Sequence, residues 1–313
     1  MKWRMFLRAR LARLAYVLTA ITVLTFLMVH LAPGDPARLV AGMDADDNAV
    51  EVARQNLGLD RSLPAQFVSY VGGLFRGDLG TSFATRQPVT AEIAQKIGPT
   101  MELALIGMVL ILLVGIPLGL LGAVSTRKGG RTFEVLFSSG TGAMAAIPQY
   151  LVATFLAFLF AVTWQIFPVA GAGAISAAIL PAVAIAVRPA AAIARLVRVR
   201  TLEVLETPYV RTARSKRLPA WKLYGWHVFP NAITTMLAMG GVLFASLIGG
   251  AVIVEQVFAR PGLGTALVNG VLLGDYPVVQ GIVLLLGFSV VLVNALVDIL
   301  LGVVDPRTME AGR

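Results

Sequence analysis

Long stretches without a charged residue alternate along this chain with shorter stretches crowded with them. The uncharged runs are Leu14–Val29, Leu103–Val124, Val135–Phe167, Val169–Val187, Ala232–Val254 and Pro277–Val297. A helix crosses the hydrocarbon core of a bilayer in about 20 apolar residues, so each run predicts one span, six in all. Val135–Phe167 is longer than a span needs. Pro148 within it predicts a kink, and Trp164 near its end suits a membrane interface. Residues 32–98 carry eight acids against six bases, too long a polar stretch for a tight turn. They predict a cap of short helices outside the membrane. Asp44-Ala45-Asp46-Asp47 reads as a helix start there, and Gly72-Gly73 and Gly77 through Gly80 read as breaks. The pattern is all-α in three parts: a first span with its flank (1–31), the cap (32–98) and a five-span core (99–313) holding a polar loop over 201–231.

Composition agrees with the pattern. Of 313 residues 57% are hydrophobic and 14% charged, with a mean hydropathy of +0.80, which excludes a soluble globular domain. The absence of cysteine excludes disulfides and thiolate metal sites. His30 and His227 are too few and too far apart to suggest a metal cluster. A net charge of +9 could point to nucleic acid, but its distribution points to lipid headgroups instead. With the N-terminus in the cytosol, residues 1–13 hold five bases and no acid, residues 125–134 three bases and one acid, and residues 195–230 eight bases and two acids. The outer stretches are acidic or nearly neutral. This is the positive-inside asymmetry, and it predicts cytosolic N- and C-termini. A basic flank before an apolar run also fits a signal peptide, but no small-x-small cleavage site follows Val29, so the first span is read as uncleaved.

The basic stretch Thr207–Asn231 therefore falls in the cytosol. Thr207 followed by Pro208 predicts an N-cap and first helical position, and Pro219 predicts a second start, giving two short helices joined at a bend. Tyr209, Val210, Ala213 and Arg217 share one face of the first helix, and Trp221, Tyr224 and Val228 one face of the second. By periodicity alone this is also what a solvated loop looks like.

The segment resembles the EAA loop, the coupling segment of ABC-transporter permeases in binding-protein-dependent importers. That pattern is Glu-Ala-Ala, three residues, Gly, nine residues, Ile-x-Leu-Pro. The same spacing runs here through Arg211-Thr212-Ala213, Arg217 and His227-Val228-Phe229-Pro230, with Arg211 in place of Glu and Arg217 in place of Gly. Other segments resemble the dipeptide/oligopeptide/nickel branch in the same order. They are Ala32-Pro33-Gly34-Asp35-Pro36, Gly58-Leu59-Asp60, Gly77-Asp78-Leu79-Gly80-Thr81-Ser82 and Gly115-Ile116-Pro117-Leu118-Gly119. Leu202-Glu203-Val204-Leu205, Pro261-Gly262-Leu263-Gly264, Asp275-Tyr276-Pro277-Val278-Val279-Gln280-Gly281 and Asp305-Pro306-Arg307 complete the set.

The resemblance implies a type I ABC importer permease fold, the first of that branch's two permease subunits, in a bacterial inner membrane. Its implied partners are a second homologous permease, two ATP-binding subunits that hold ATP and Mg, and an extracytoplasmic solute-binding protein. It assigns ATPase coupling to Tyr209, Arg211, Ala213, Arg214, Arg217, Trp221 and Pro230, the last setting the angle to the fifth span. This chain itself has no Gly-Lys-Ser/Thr phosphate loop, no Gly-x-Ser-x-Gly and no His-Glu-x-x-His, so ATP hydrolysis belongs to another polypeptide and no cofactor is expected in it.

Two other classes compete. A secondary transporter predicts mid-membrane carboxylates and an inverted repeat, and a channel predicts a filter loop or charge ring; neither pattern is visible. Glu102 and Glu255 sit near span ends. Arg188 lies deep in the fourth run, either as a functional charge or snorkelling to headgroups or paired with Asp298. Gly34, Gly262 and Gly264 are expected at turns with positive φ, and Gly240-Gly241 and Gly249-Gly250 at close helix contacts.

Overall fold

The computed structural model describes residues 2–31, 35–42, 44–128, 130–171, 173–216, 218–219 and 222–304. The helices are α1 (Lys2–Leu31), α2 (Pro36–Ala41), α3 (Asp47–Asn56), α4 (Leu63–Phe75), α5 (Val89–Lys128), α6 (Gly130–Ala146), α7 (Gln149–Leu156), α8 (Ile175–Leu205), α9 (Pro208–Ser215), α10 (Phe229–Val257), α11 (Leu263–Leu273) and α12 (Tyr276–Val304). π-helical turns extend α7 over Ala157–Thr163 and lead into α10 over Leu223–Val228. Among the described residues no strand forms beyond one isolated bridge, Thr81 to Pro88. Five stretches are long and apolar enough to cross a membrane: Leu11–Leu31, Val89–Thr126, Ile175–Leu205, Met239–Val257 and Tyr276–Val297. The helices Arg131–Ala146 and Gln149–Thr163 make a further pair bent by 90°, and Pro148 sits at that bend as predicted. The count reaches six when the bent pair is one span.

Contacts divide the chain into two compact units, Trp3–Thr100 with Pro261–Val291 and Met101–Arg260 with Leu292–Arg313. In the first unit, the short polar helices start where aspartates can cap them. Asp35 accepts from the Ala37 N–H at 3.0 Å and Asp46 from the Ala49 N–H at 2.8 Å, each satisfying an orphan donor of a first turn. Asp35 also receives Arg54 at 2.5 Å. Gly72 and Gly73 do not break the chain; they lie inside α4, where neighbouring residues outweigh the roughly 1 kcal/mol that glycine loses in a helix. The break falls at Gly77 and Gly80, with φ of 75° and 83°. α5 begins at Val89 and continues through Gly98-Pro99, so the helix starts fourteen residues before the uncharged run at Leu103.

The turn between Gly80 and α5 is held by Asp275, 193 residues away from Ser82 in sequence. Its carboxylate is 3% exposed and accepts from the Ser82 hydroxyl at 2.5 Å and from the Phe83 and Ala84 N–H groups at 3.0 and 3.2 Å. Two separated family segments thus meet through one buried carboxylate. Below it Val89 and Ile93 pack with Leu263, Ala266, Val278 and Ile282. Gly262 departs from expectation: its φ is −103°, in the extended range that precedes a helix, and Gly264 is helical within α11.

The second unit is built around α8. In its most apolar window 61% of residues are buried, against 11% to 44% in the other four spans, which places α8 at the centre of the packing. Gly115 and Gly119 let α5 lie directly on it. A Cβ at Gly119 would fall 2.5 Å from the Ala194 carbonyl oxygen and 2.6 Å from Val197 Cβ, and one at Gly115 would fall 2.8 Å from Ile193 Cγ2. Of the predicted glycine pairs in α10, one member each is close-packed: a Cβ at Gly241 would fall 2.4 Å from Asn294 Oδ1 and one at Gly250 2.7 Å from Gln149 Oε1, while Gly240 and Gly249 face open space. Pro181 and Pro189 both lie within α8, which continues as a helix to Leu205 and so carries Arg188, Arg195, Arg198 and Arg200 on one element. Arg260 is fully buried. Its guanidinium donates to Glu102 at 2.5 Å and its backbone N–H to the Glu255 carbonyl at 2.8 Å, so Glu102, one of the acids noted near span ends, answers a cation that hydropathy did not single out.

Asp275→Ala removes three acceptor contacts and strands their donors, an expected loss of about 2–4 kcal/mol. A thermal midpoint in detergent within error of wild type would contradict that assignment. Gly119→Val should lower the same midpoint through a loss of about 1–3 kcal/mol from overpacking, whereas Gly240→Ala should leave it unchanged.

Candidate functional site

α8 ends at Leu205 and the chain turns at once into α9, whose first residue is Pro208 as the sequence predicts. Thr207 makes that turn differently from an ordinary cap. Its hydroxyl donates back to the Val204 carbonyl at 2.5 Å, closing the end of α8, and its own carbonyl accepts from Arg211 at 3.2 Å to open α9. Thr212 and Ser215 return their hydroxyls to the carbonyls of Pro208 and Thr212. They lie on the exposed side of α9.

The other side of α9 is apolar. Val210 is 0% exposed and Ala213 6%, and they pack with Leu205 from the end of α8 and Leu223 from the π-helical turn; Val204 and Leu218 border the cluster. This small core fastens α9 simultaneously to the span before it and the span after it. The second helix predicted after Pro219 does not stand apart: the Leu223–Val228 turn runs into α10 without a break, and the helix continues through Pro230. A π turn is the local geometry that tolerates an interrupted bonding ladder, and proline, lacking an N–H, interrupts it.

The residues that the resemblance assigns to coupling are therefore not equivalent. Tyr209, 43% exposed, and Arg211 lie on the open side of α9, and Ala213 lies beneath it. Arg214 and Pro230 are in helices, but their side chains lie outside the described residues, as do Arg217 and Trp221 altogether. Leu205, Val210 and Leu223 were not singled out as functional, although Val210 follows the helical spacing of the buried face. Nearby charges are already engaged. Arg200 pairs with Glu203 at 2.8 Å, and Arg198 pairs with Glu134 at 2.9 Å, reaches Thr126 at 3.2 Å and stands 5.3 Å over the Phe137 ring. Arg198 thus ties α8 to α5 and α6. Among the described residues no group of histidine and carboxylate side chains could hold a metal ion.

Long apolar helices with a short basic helix packed on the end of the most buried one fit a multi-span membrane protein. Comparison with known proteins makes the class specific. Residues 115–310 match the model of the binding-protein-dependent transport system inner membrane component, and residues 3–104 match the N-terminal model of the same membrane components. The chain belongs to this family. It is 39% identical over 310 residues to a Brucella abortus (strain 2308) protein named as a peptide transport system permease, covering 95% of this chain and 96% of that one. It is likewise 39% identical over 299 residues to a glutathione transport system permease of Pectobacterium atrosepticum, with the same coverage. Among solved structures an inward-facing MetNI methionine ABC transporter matches 69% of this chain and 97% of its own, with a TM-score of 0.58 and 19% identity, a likeness of fold. The protein is a multi-pass inner-membrane permease of an ABC importer, and the ion-coupled reading falls away.

Ala213→Asp would set a carboxylate among Leu205, Val210 and Leu223, an expected local penalty of several kcal/mol. Trypsin should then cut faster at Arg211, Arg214 and Lys216 than in wild type, with the span helices still protected. Equal cutting rates would show that α9 is not held by this cluster.

Proposed function

We propose that this chain forms half of the membrane path of a peptide importer. It pairs with a second homologous permease, engages two ATP-binding subunits through α9 and receives solute from an extracytoplasmic binding protein. The substrate class follows the relatives named for peptides and for glutathione, a tripeptide derivative that shares their amide and carboxylate chemistry. The excess of bases over acids in residues 1–13, 125–134 and 195–230 supports six spans with both termini and the 201–231 loop in the cytosol, on the side where nucleotide is hydrolysed.

The observation that carries the reading is the way α9 is mounted. A helix of eight residues is too short to be stable alone, yet here its apolar side is locked to α8 and to the start of α10, and Tyr209, Arg211, Thr212 and Ser215 are presented outward. Closure of an ATPase pair against that surface would push two spans together. The permease pair would rock between inward- and outward-open arrangements as rigid bodies.

Tagged protein extracted in mild detergent should carry with it a second permease and ATPase subunits, with ATPase activity that rises when the binding protein is added. Ala213→Asp should insert normally but lose coupled transport and most of the recovered ATPase. Recovery of the chain alone in several detergents, or full transport by Ala213→Asp at normal expression, would overturn the proposal.

A further inference from the structure

Arg188 lies within the fourth span. At about 1.5 Å per residue it is roughly 20 Å along α8 from Ile175 and roughly 10 Å from Arg195, where the cytosolic basic stretch begins. Its side chain is exposed, in a helix whose other faces are the most buried of the spans. The exposed positions that follow it are Ala192, Arg195 and Val199, spaced so that all four share one narrow strip. Asp298, its candidate partner by sequence, has a side chain outside the described residues.

The composition of this strip is not that of a lipid-facing one. On α12 the exposed strip is Phe288, Leu292, Leu296 and Leu300, each 40% to 55% exposed, which is what hydrocarbon selects. On α8 two of four positions are arginine and one is alanine. A charge at this depth is stable when it faces a water-filled cavity or the interior of an assembly. Two cations and a small residue on the outward strip of the central helix make a polar wall.

We infer that the α8 strip bearing Arg188 and Arg195 lines the water-filled solute path, and that Arg188 supplies a positive charge within the span for a solute bearing a carboxylate. The inference rests on the reading of the chain as half of a permease pair and adds to it a place and a sign of charge. Such a charge raises the local concentration of anions and favours carboxylate-bearing solutes. Arg195, two turns on, would take over the same carboxylate as it leaves Arg188.

The chain contains no cysteine, so single reporters need no background removal. Ala192→Cys, one turn from Arg188 on the same strip, is labelled in inside-out and right-side-out membrane vesicles holding the co-expressed complex. Its rates with two membrane-impermeant methanethiosulfonates, one anionic and one cationic, are read by mass spectrometry of this chain. The inference expects modification by both, with the anionic reagent favoured by about tenfold. Adding Arg188→Gln should reduce that preference severalfold, and Arg188→Lys should keep it. Modification by neutral N-ethylmaleimide but by neither charged reagent would place the strip against lipid or against the second permease, and overturn the inference. Equal rates for the two charged reagents, or a preference untouched by Arg188→Gln, would overturn the role of the charge. Recovery of the assembled complex with its ATPases, measured on the same vesicles, tests the permease reading separately.

Discussion

In hydrocarbon a helix gains nothing by hiding leucine, because the lipid tails are as apolar as the side chain, so helices associate through close packing and satisfied polar groups. The second unit of this protein depends on that constraint at the contact of α5 with α8. Gly115 and Gly119 bring the two backbones so near that a single added carbon would overlap the Ala194 carbonyl. The α8 residues against these glycines are Ala190, Ile193, Ala194 and Val197, and the helix is rich in buried alanine around its axis, with Ala182, Ala184, Ala186 and Ala191 also buried. Its companions then settle around a rigid central rod: α10 and α7 on other faces, and α6 through Arg198 and Glu134. Arg260 and Glu102 follow the same rule, because a buried guanidinium in this solvent needs a carboxylate beside it.

Five long apolar helices and their order were legible in the sequence because twenty apolar residues in a row admit few other solutions. The kink at Pro148 and the helix start at Asp44–Asp47 were also readable, since those residues act within their own turn. What could not be read depends on distant partners. Nothing in the local text of Gly77–Ser82 names Asp275, and nothing marks Arg260 as buried rather than interfacial. Gly72-Gly73 misled because glycine breaks a helix only when its neighbours offer no better contacts. Pro230 misled in the opposite way: the π turn before it absorbs the irregularity that a proline signals, so the helix that opens after Pro219 runs on into α10 instead of ending as a separate short helix.

The family and the placement of the coupling stretch were carried by motif order, but the roles inside that stretch were not. Helical spacing put Tyr209, Val210 and Ala213 on one face, and the fold splits them, with Tyr209 outward and the other two under the helix. A one-residue rotation about the axis is about 100°, enough to turn a contact residue into a core residue. The alanine in this position is therefore explained by packing: a larger side chain would lift α9 off Leu205 and Leu223.

On the proposed reading these constraints form one mechanical argument. α9 is joined to α8 through a turn of two residues in which Thr207 bonds both helices, and through the Leu205–Val210–Ala213–Leu223 cluster. A displacement applied to α9 has no slack in which to dissipate before it reaches Leu205. From there it passes into a helix that lies in close contact with α5 at Gly115 and Gly119. Packed cores respond to such displacement by switching between discrete arrangements instead of bending gradually. The strip of α8 that carries Arg188 belongs to the same rod as the residues that receive the push. A movement of the coupling helix would therefore reposition the Arg188 charge on the same helix, linking the power stroke to the solute.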